Sequence, residues 1–403
     1  MKYFLIGEKL SHSYSAIIHS HLGLPYGLKQ LNSDELAAFI EKKDFHGLNV
    51  TIPYKQAVLP MLDGLSRRAK LSGAVNTIVR LGGKMYGYNT DIGGMQYAFE
   101  RIGVSLNGKN VLCLGSGGTM QTARALSELE GAKSFNFVSR SGKLNYQNCY
   151  DLVDTEILIN ATPVGTYPNI EDKIIDLSKF PNVQAVLDVV YNPKMTELLL
   201  DANKLNIPYS NGLPMLVEQA LQAEDIWLNK THSRALSEKT LHWLGVNTQN
   251  IYLCGMPSCG KTSVGKVLAE RLKRPFIDTD KEIENIEGKP CSQIILENGE
   301  PYFRELESKV IKQTTRHTGE VIALGGGSVI AENNVREIRR NGFVIYIQRA
   351  IELLSTRNRP LSSKLGLASL YENRKSCYEA VADLTVENNT DKFSCVREIL
   401  KNL

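Results

Sequence analysis

Long hydrophobic runs, paired cysteines and a surplus of one charge sign are all missing from this 403-residue chain. No apolar run reaches the roughly 20 residues of a membrane-spanning helix, and Tyr3-Phe4-Leu5-Ile6 after Lys2 is too short for a signal-peptide core. The seven cysteines (113, 149, 254, 259, 291, 377 and 395) form no CxxC pair and are odd in number, which argues for reduced thiols and against a disulfide-framed secreted domain. A formal net charge of +4 leaves no basic footprint for nucleic acid or membrane, and the pair Arg339-Arg340 reads as a solvated helix face; anionic small substrates remain compatible. His232 and His242 have no metal-binding spacing around them and read as surface residues. The expectation is a soluble cytoplasmic protein of two to three domains that works on small molecules.

What is present begins with Gly255-Met256-Pro257-Ser258-Cys259-Gly260-Lys261-Thr262. It matches G-x-x-x-x-G-K-[ST], in which glycines free backbone N–H groups to cradle phosphates, the lysine reaches the outer phosphates and the hydroxyl holds Mg²⁺. The apolar run Ile251 to Cys254 before it and helix-spaced Val264, Val267 and Leu268 after it supply the strand–loop–helix context. Cys259 reads as a passive small residue. About 250 residues precede the motif, far more than one nucleotide-kinase domain requires.

In the first half, residues 3 to 6 predict a buried strand opening into the polar loop Ser11 to Ser15. Gly47 to Pro53 has strand character and delivers Lys55 to a strand-to-helix junction. Gly73 to Val79 predicts a strand, Leu81-Gly82-Gly83-Lys84 a hairpin turn, and Tyr86 to Asp91 the return. A second style begins at Asn110 to Leu114, a compact apolar strand running into Gly115-Ser116-Gly117-Gly118, where glycines allow a pyrophosphate to approach a helix N-terminus. The next strand, Ser134 to Val138, ends in Ser139-Arg140-Ser141 where NAD-binding chains usually place an acidic residue. Arginine and two hydroxyls suit a 2′-phosphate, hence NADP. Strands at Ile157 to Asn160 and Ala185 to Val190 alternate with helical segments such as Thr196 to Leu205, the rhythm of a parallel sheet covered on both faces.

Six blocks in order resemble shikimate dehydrogenase: Ser11 to Ser15, Asn49-Val50-Thr51-Ile52-Pro53-Tyr54-Lys55, Gly73 to Thr77, Asn89-Thr90-Asp91, Asn160 to Gly165 and Asn211 to Ala220. The resemblance covers about residues 1 to 230 and implies a split fold, with an α/β substrate domain at 1–95 completed by a helix at 213–230, and a Rossmann NADP(H) domain at 96–230. It makes Lys55 and Asp91 the catalytic pair. It also implies that Ser13 and Ser15 hydrogen-bond the substrate carboxylate, and that Thr51, Asn76, Tyr191 and Gln219 read the ring hydroxyls and nearby polar atoms. Gly115, Gly117, Gly118, Ser139, Arg140 and Ser141 would hold the cofactor. The sequence departs from the family pattern at Ala16, usually proline, at Glu8 and Lys9 in place of a Gly-x-Pro continuation, and at Thr119-Met120 in the cofactor loop; no departure removes a reacting group.

Asn229 to Gln249 reads as a linker (231–248) with one short helix, Leu236 to Leu244. Beyond the phosphate loop, Phe276 to Asp280 predicts a strand whose two carboxylates share one side if the strand persists. A helix opens around Glu297 to Arg304, Val321 to Leu324 delivers Gly325-Gly326-Gly327, whose glycines predict very close approach of ligand or backbone, and Arg357 to Lys364 has the character of a basic lid. Residues 249–403 resemble shikimate kinase, which has a P-loop fold with a parallel sheet. By that resemblance Gly255, Ser258, Gly260, Lys261, Thr262 and Arg357 serve ATP, Thr262 and Asp278 serve Mg²⁺, and Asp280 binds and activates the accepting hydroxyl. Arg304 and Arg374, with Gly326 and Gly327, would grip the substrate carboxylate, and Arg359 would stabilise the transferring phosphoryl group. The implied whole is a fused enzyme that reduces 3-dehydroshikimate and phosphorylates the product. The alternatives are that one half is a non-catalytic binding or scaffolding module, or that the kinase acts on another small polyol.

Overall fold

The computed structural model describes residues 2–10, 13–354 and 366–403, so Arg357 and Arg359 lie outside the described residues. It divides into two compact units, Met1–Leu244 and Gly245–Leu403. Among the described residues, no helix is long and apolar enough to cross a membrane.

The first unit holds two sheets. Strands β1 (Tyr3–Gly7), β2 (Tyr26–Gln30), β3 (Gly47–Val50), β4 (Gly64–Leu65), β5 (Thr77–Leu81) and β6 (Lys84–Tyr88) lie in the order β2-β1-β3-β5-β6-β4. β1 pairs in parallel with β2 and β3, whereas β5 runs antiparallel to both of its neighbours, β3 and β6. Gly82 and Gly83 close the β5–β6 hairpin with φ of 57° and 79°, the left-handed turn whose twist matches the strands. Two strands are shorter than the sequence suggests. Gly73, at φ 61°, caps the helix Arg67–Ser72, so β5 starts only at Thr77; β3 stops at Val50, and turns carry the chain past Lys55 to a 3-10 turn at Leu59–Met61 instead of to a helix.

The second sheet is wholly parallel: β7 (Asn110–Leu114), β8 (Ser134–Val138), β9 (Ile157–Asn160), β10 (Ala185–Asp188) and β11 (Tyr209–Ser210), in the order β11-β10-β9-β7-β8. Along β7 and β9 the side chains alternate between two separate cores. Val111, Cys113, Ile157 and Ile159 enter one; Leu112, Leu114 and Leu158 enter the other. That period of two, with both faces apolar, explains the continuous hydrophobic runs of these strands.

The helix Leu213–Leu228 brings the chain back to the first sheet. Its Trp227 stacks on Tyr3 of β1 with centroids 5.1 Å apart, donates from Nε1 to the Ile78 carbonyl at 3.0 Å, and lies against Gly47 of β3, where a Cβ would enter the indole ring. The residues read as a linker from sequence are structured otherwise: Arg234–Thr248 is one helix, and its Leu236, Leu241, Trp243 and Leu244 pack with Ile18, Leu213, Val217 and Leu221. His232 is likewise not the surface residue expected. Its Nδ1 meets Asp225 Oδ2 at 2.6 Å and its Nε2 meets Glu218 Oε1 at 3.0 Å. His242 is exposed, as read.

The second unit is a five-stranded parallel sheet, β12 (Asn250–Cys254), β13 (Phe276–Asp278), β14 (Val321–Ala323), β15 (Gly342–Gln348) and β16 (Leu384–Glu387), in the order β13-β14-β12-β15-β16. The chain departs to opposite sides of β12, so a crevice opens at the carboxyl end of that strand. The strand at Phe276 does not persist to Asp280: β13 ends at Asp278, which caps the helix Thr279–Glu287 by accepting from Lys281 N.

Two outcomes follow from this packing. Gly47→Ala drives a methyl into the Trp227 ring and is expected to cost about 1–3 kcal/mol, read as a lower urea midpoint at unchanged slope. The hydrogen bond that His232 donates to Glu218, opposed by burial and joined by the one to Asp225, raises His232 to about 8. A raised histidine stabilises the fold fully below its unfolded value of 6.5 and loses that contribution as pH rises through about 8. A His232→Gln variant should therefore show a flatter stability profile between neutral and mildly alkaline pH in denaturant titrations.

Candidate active sites

In the first unit a cavity of about 590 Å³ is lined by Ser13, Ser15, Thr51, Lys55, Asn76, Asp91, Tyr191 and Gln219, which is to say every substrate-site and catalytic residue singled out in the first half of the sequence. Lys55 Nζ lies 2.6 Å from Asp91 Oδ2. Asp91 is the first residue of the helix Asp91–Arg101, where the helix dipole favours a negative charge. Its other oxygen accepts from Asn76 Nδ2 at 2.8 Å, and Asn76 Oδ1 accepts from Thr90 N at 2.7 Å. Burial pushes the Tyr191 phenol up to about 12, aided by Tyr14, whose ring centroid is 5.2 Å away. Gln219 donates to the Leu216 carbonyl at 2.9 Å.

Among the further lining residues, Lys9, Asn49, Thr119 and Met215 were not picked as site residues from sequence. Asn49 is the most connected of them. It accepts from Tyr26 Oη at 2.8 Å and donates to Asn76 O at 3.2 Å and Thr77 Oγ1 at 3.1 Å, so it props Asn76 and the start of β5 beside it. Its spacing of two from Thr51 was a signal that both could face one side.

The glycine turn after β7 is built for close approach. Gly115 has φ of 114° and a Cβ there would sit 2.8 Å from Thr162 Cγ2, whereas Cβ atoms at Gly117 and Gly118 would meet nothing within 4 Å. Gly118 starts the helix Gly118–Glu130, and Thr119 in its first turn lines the 590 Å³ cavity, so the turn and the cavity adjoin. After β8, Ser139 is half-buried with its N–H on the Leu144 carbonyl at 3.2 Å, and Arg140 and Ser141 are exposed.

In the second unit a cavity of about 210 Å³ gathers Ser258, Gly260, Lys261, Thr262, Asp278, Asp280 and Gly326. The loop needs its left-handed positions: φ is 139° at Gly255, 67° at Ser258 and 102° at Gly260. Lys261 Nζ donates to the Gly255 and Met256 carbonyls at 2.9 and 3.0 Å, and Thr262 Oγ1 to Asp278 Oδ2 at 2.6 Å. Asn388, absent from the sequence reading, donates to the Cys259 carbonyl at 2.8 Å and fixes the loop from behind.

The three glycines after β14 answer to the protein's own side chains. A Cβ at Gly325 would meet Glu307 Oε1 at 2.5 Å and Asp280 Oδ1 at 2.8 Å, one at Gly326 would meet Pro257, and one at Gly327 would meet the Arg304 guanidinium. Arg304 pairs with Glu300 Oε1 and Glu307 Oε2, each at 2.9 Å. Desolvation pulls this guanidinium down, but the Glu307 charge and the hydrogen bonds it donates to both carboxylates outweigh it and hold it above its usual value. Arg374 and Tyr378, one turn apart on the helix Leu367–Val381, both donate to the Gly326 carbonyl, Arg374 Nη1 at 3.0 Å. Burial raises the Tyr378 phenol far above its ordinary value. Tyr378→Phe leaves that carbonyl to Arg374 alone and is expected to lower stability by about 1 kcal/mol in urea unfolding, with no new cavity.

Comparison with known proteins agrees with this geometry. Family models match residues 5–78 as the shikimate dehydrogenase substrate binding domain and residues 257–403 as shikimate kinase. A shikimate dehydrogenase (NADP(+)) of Clostridium perfringens is 37% identical over 255 residues, covering 56% of this chain and 92% of that protein. One from Caldicellulosiruptor bescii is 35% identical over 260 residues, covering 57% and 89%. Among solved structures, a chorismate mutase/shikimate 5-dehydrogenase fusion protein from Clostridium acetobutylicum superposes with a TM-score of 0.58 at 30% identity, over 60% of this chain and 96% of that one. The Thermus thermophilus shikimate 5-dehydrogenase in complex with NADP(H) and shikimate gives 0.55 at 26%, over 60% and 99%. By these matches the chain belongs to the shikimate dehydrogenase family over its first part and carries a shikimate kinase domain at its C-terminus.

Proposed function

We propose that this chain reduces 3-dehydroshikimate to shikimate with NADPH and phosphorylates the 3-hydroxyl so formed with ATP. The observation that carries it is the Lys55–Asp91 pair, 2.6 Å apart inside a polar cavity, in a chain whose other unit sets Asp280 beside a phosphate loop. A cytoplasmic location suits the seven free thiols. We assign 1–95 with 213–230 to substrate, 96–230 to NADP(H) and 249–403 to the kinase.

Reducing a ketone requires a proton at the developing alkoxide. The Lys55 ammonium donates it, and Asp91, itself held by Asn76, keeps the ammonium aimed and stabilises its charge. Ser13 and Ser15 bind the substrate carboxylate, while Thr51, Asn76, Tyr191 and Gln219 take the ring hydroxyls and neighbouring polar atoms. The open faces of Gly117 and Gly118 at a helix N-terminus fit a pyrophosphate, and Arg140 with Ser139 and Ser141 fits a 2′-phosphate. NADPH supplies the hydride.

In the kinase unit the glycine loop fits a polyphosphate, since its left-handed backbone turns N–H groups toward one concavity that Lys261 also lines. Thr262 Oγ1 and Asp278 Oδ2, already 2.6 Å apart, are an oxygen pair of the kind Mg²⁺ takes. Asp280 accepts the proton of the attacking hydroxyl. Arg304 and Arg374, with Gly326 and Gly327 between them, grip the carboxylate of the same substrate. Arg359 is assigned to the phosphoryl group and Arg357 to the nucleotide.

The test uses purified protein and shikimate, following NADP⁺ reduction and, separately, ATP-dependent phosphorylation. Lys55→Ala should lower the first by about 10²- to 10⁴-fold and leave the second intact, and Asp280→Asn should do the converse. Lack of either activity in the wild-type chain overturns the two-enzyme conclusion.

A further inference from the structure

The dehydrogenase cavity is lined by three charged side chains among the described residues: Lys9, Lys55 and Asp91. Lys55 and Asp91 neutralise one another at 2.6 Å. Lys9 is exposed at the mouth and has no ion-pair partner among the described residues, so the lining carries one unbalanced positive charge. The substrate assigned to this cavity carries one negative charge, on its carboxylate.

The position of Lys9 is set by the loop that holds the two serines. Glu8 N is tied to the Ile52 carbonyl at 3.3 Å, and Ser13 N to the Leu10 carbonyl at 3.4 Å, which pins the backbone on either side of Lys9. Ser15 N in turn donates to Ser13 Oγ at 3.2 Å. One short segment thereby presents a cation and both serines to the same cavity. A lysine stem long enough to turn its ammonium inward, with no competing carboxylate, is what recognition of an anion at an open mouth requires.

We propose that Lys9 is a specificity residue that reads the negative charge of the substrate carboxylate, an inference that rests on taking this cavity as the shikimate pocket. The serines supply hydrogen-bond direction, which a neutral polar group would satisfy equally; Lys9 supplies the preference for an anion and draws it in from solution.

Steady-state oxidation of shikimate and of its neutral methyl ester, with NADP⁺, by the wild type, Lys9→Met and Lys9→Arg tests this. Lys9→Met should raise KM for shikimate about three- to tenfold, with kcat far less affected and KM for NADP⁺ unchanged. Lys9→Arg should restore the wild-type value. The wild-type KM for shikimate should rise with added salt and that of Lys9→Met should not, while the ester should be handled alike by all three proteins. Kinase activity and a thermal melt, both unaltered, establish that the variants are folded. An unchanged KM for shikimate in Lys9→Met overturns the proposal, as does an equal rise for the ester or a rise confined to NADP⁺, which would give the cation to the cofactor. A wild-type protein that oxidises no shikimate overturns the identity of the pocket itself, and the role of Lys9 with it.

Discussion

Parallel strands end with carbonyl and N–H groups that the sheet cannot pair, and much of the chemistry in this molecule is built where β3, β7, β12 and β14 run out. In each case the chain turns sharply just beyond the strand, and the turn must satisfy the backbone groups the sheet releases. At β7 and β12 glycines do so by entering left-handed conformations, which leaves N–H groups facing a concavity. At β14, Thr279 Oγ1 takes the Gly325 N–H at 3.0 Å, and Arg374 and Tyr378 take the Gly326 carbonyl. The sites are thus consequences of how the strands terminate.

The site at the end of β3 solves the same problem with side chains. Asn49 and Asn76 each satisfy several neighbours, and their linked hydrogen bonds run from Tyr26 through Thr77 and Thr90 to Asp91. A buried network of this type is costly unless every member is paired. Here it is paired, and its last link fixes one oxygen of Asp91 so that the other is left to Lys55. Precision in the Lys55–Asp91 geometry therefore comes through Asn76, and Thr77 and Thr90 behind it support that geometry without an assigned substrate contact.

Much of this was legible in the sequence because it is local. The two glycine turns, the apolar strands with side chains alternating between two cores, and the polar residues around Lys55 and Asp91 all show in short windows, and the structure gathers the latter into one cavity. What escaped depends on distance. The three-glycine turn suggested a ligand or backbone lying close, yet Glu307, Asp280, Pro257 and Arg304 come from elsewhere in the chain to fill that space. Asn388 reaches the phosphate loop across 129 residues. The helix Arg234–Thr248 read as a linker because its apolar residues are few, and their partners at Ile18, Leu213 and Val217 lie far upstream. His232 looked exposed because a left-handed Asn229, at φ 50°, folds the chain back on Glu218 and Asp225 without any marker in the local composition.

Arg304 enters binding already neutralised by Glu300 and Glu307. In the proposed reading, a substrate carboxylate arriving there substitutes for part of an existing ion pair, so the net number of opposite-charge contacts barely changes. At the dehydrogenase cavity the same carboxylate meets a lining with a charge to spare. One molecule, product of the first site and substrate of the second, would thus be held by addition in one place and by exchange in the other. Ionic strength would then weigh on the two halves of a single polypeptide unequally.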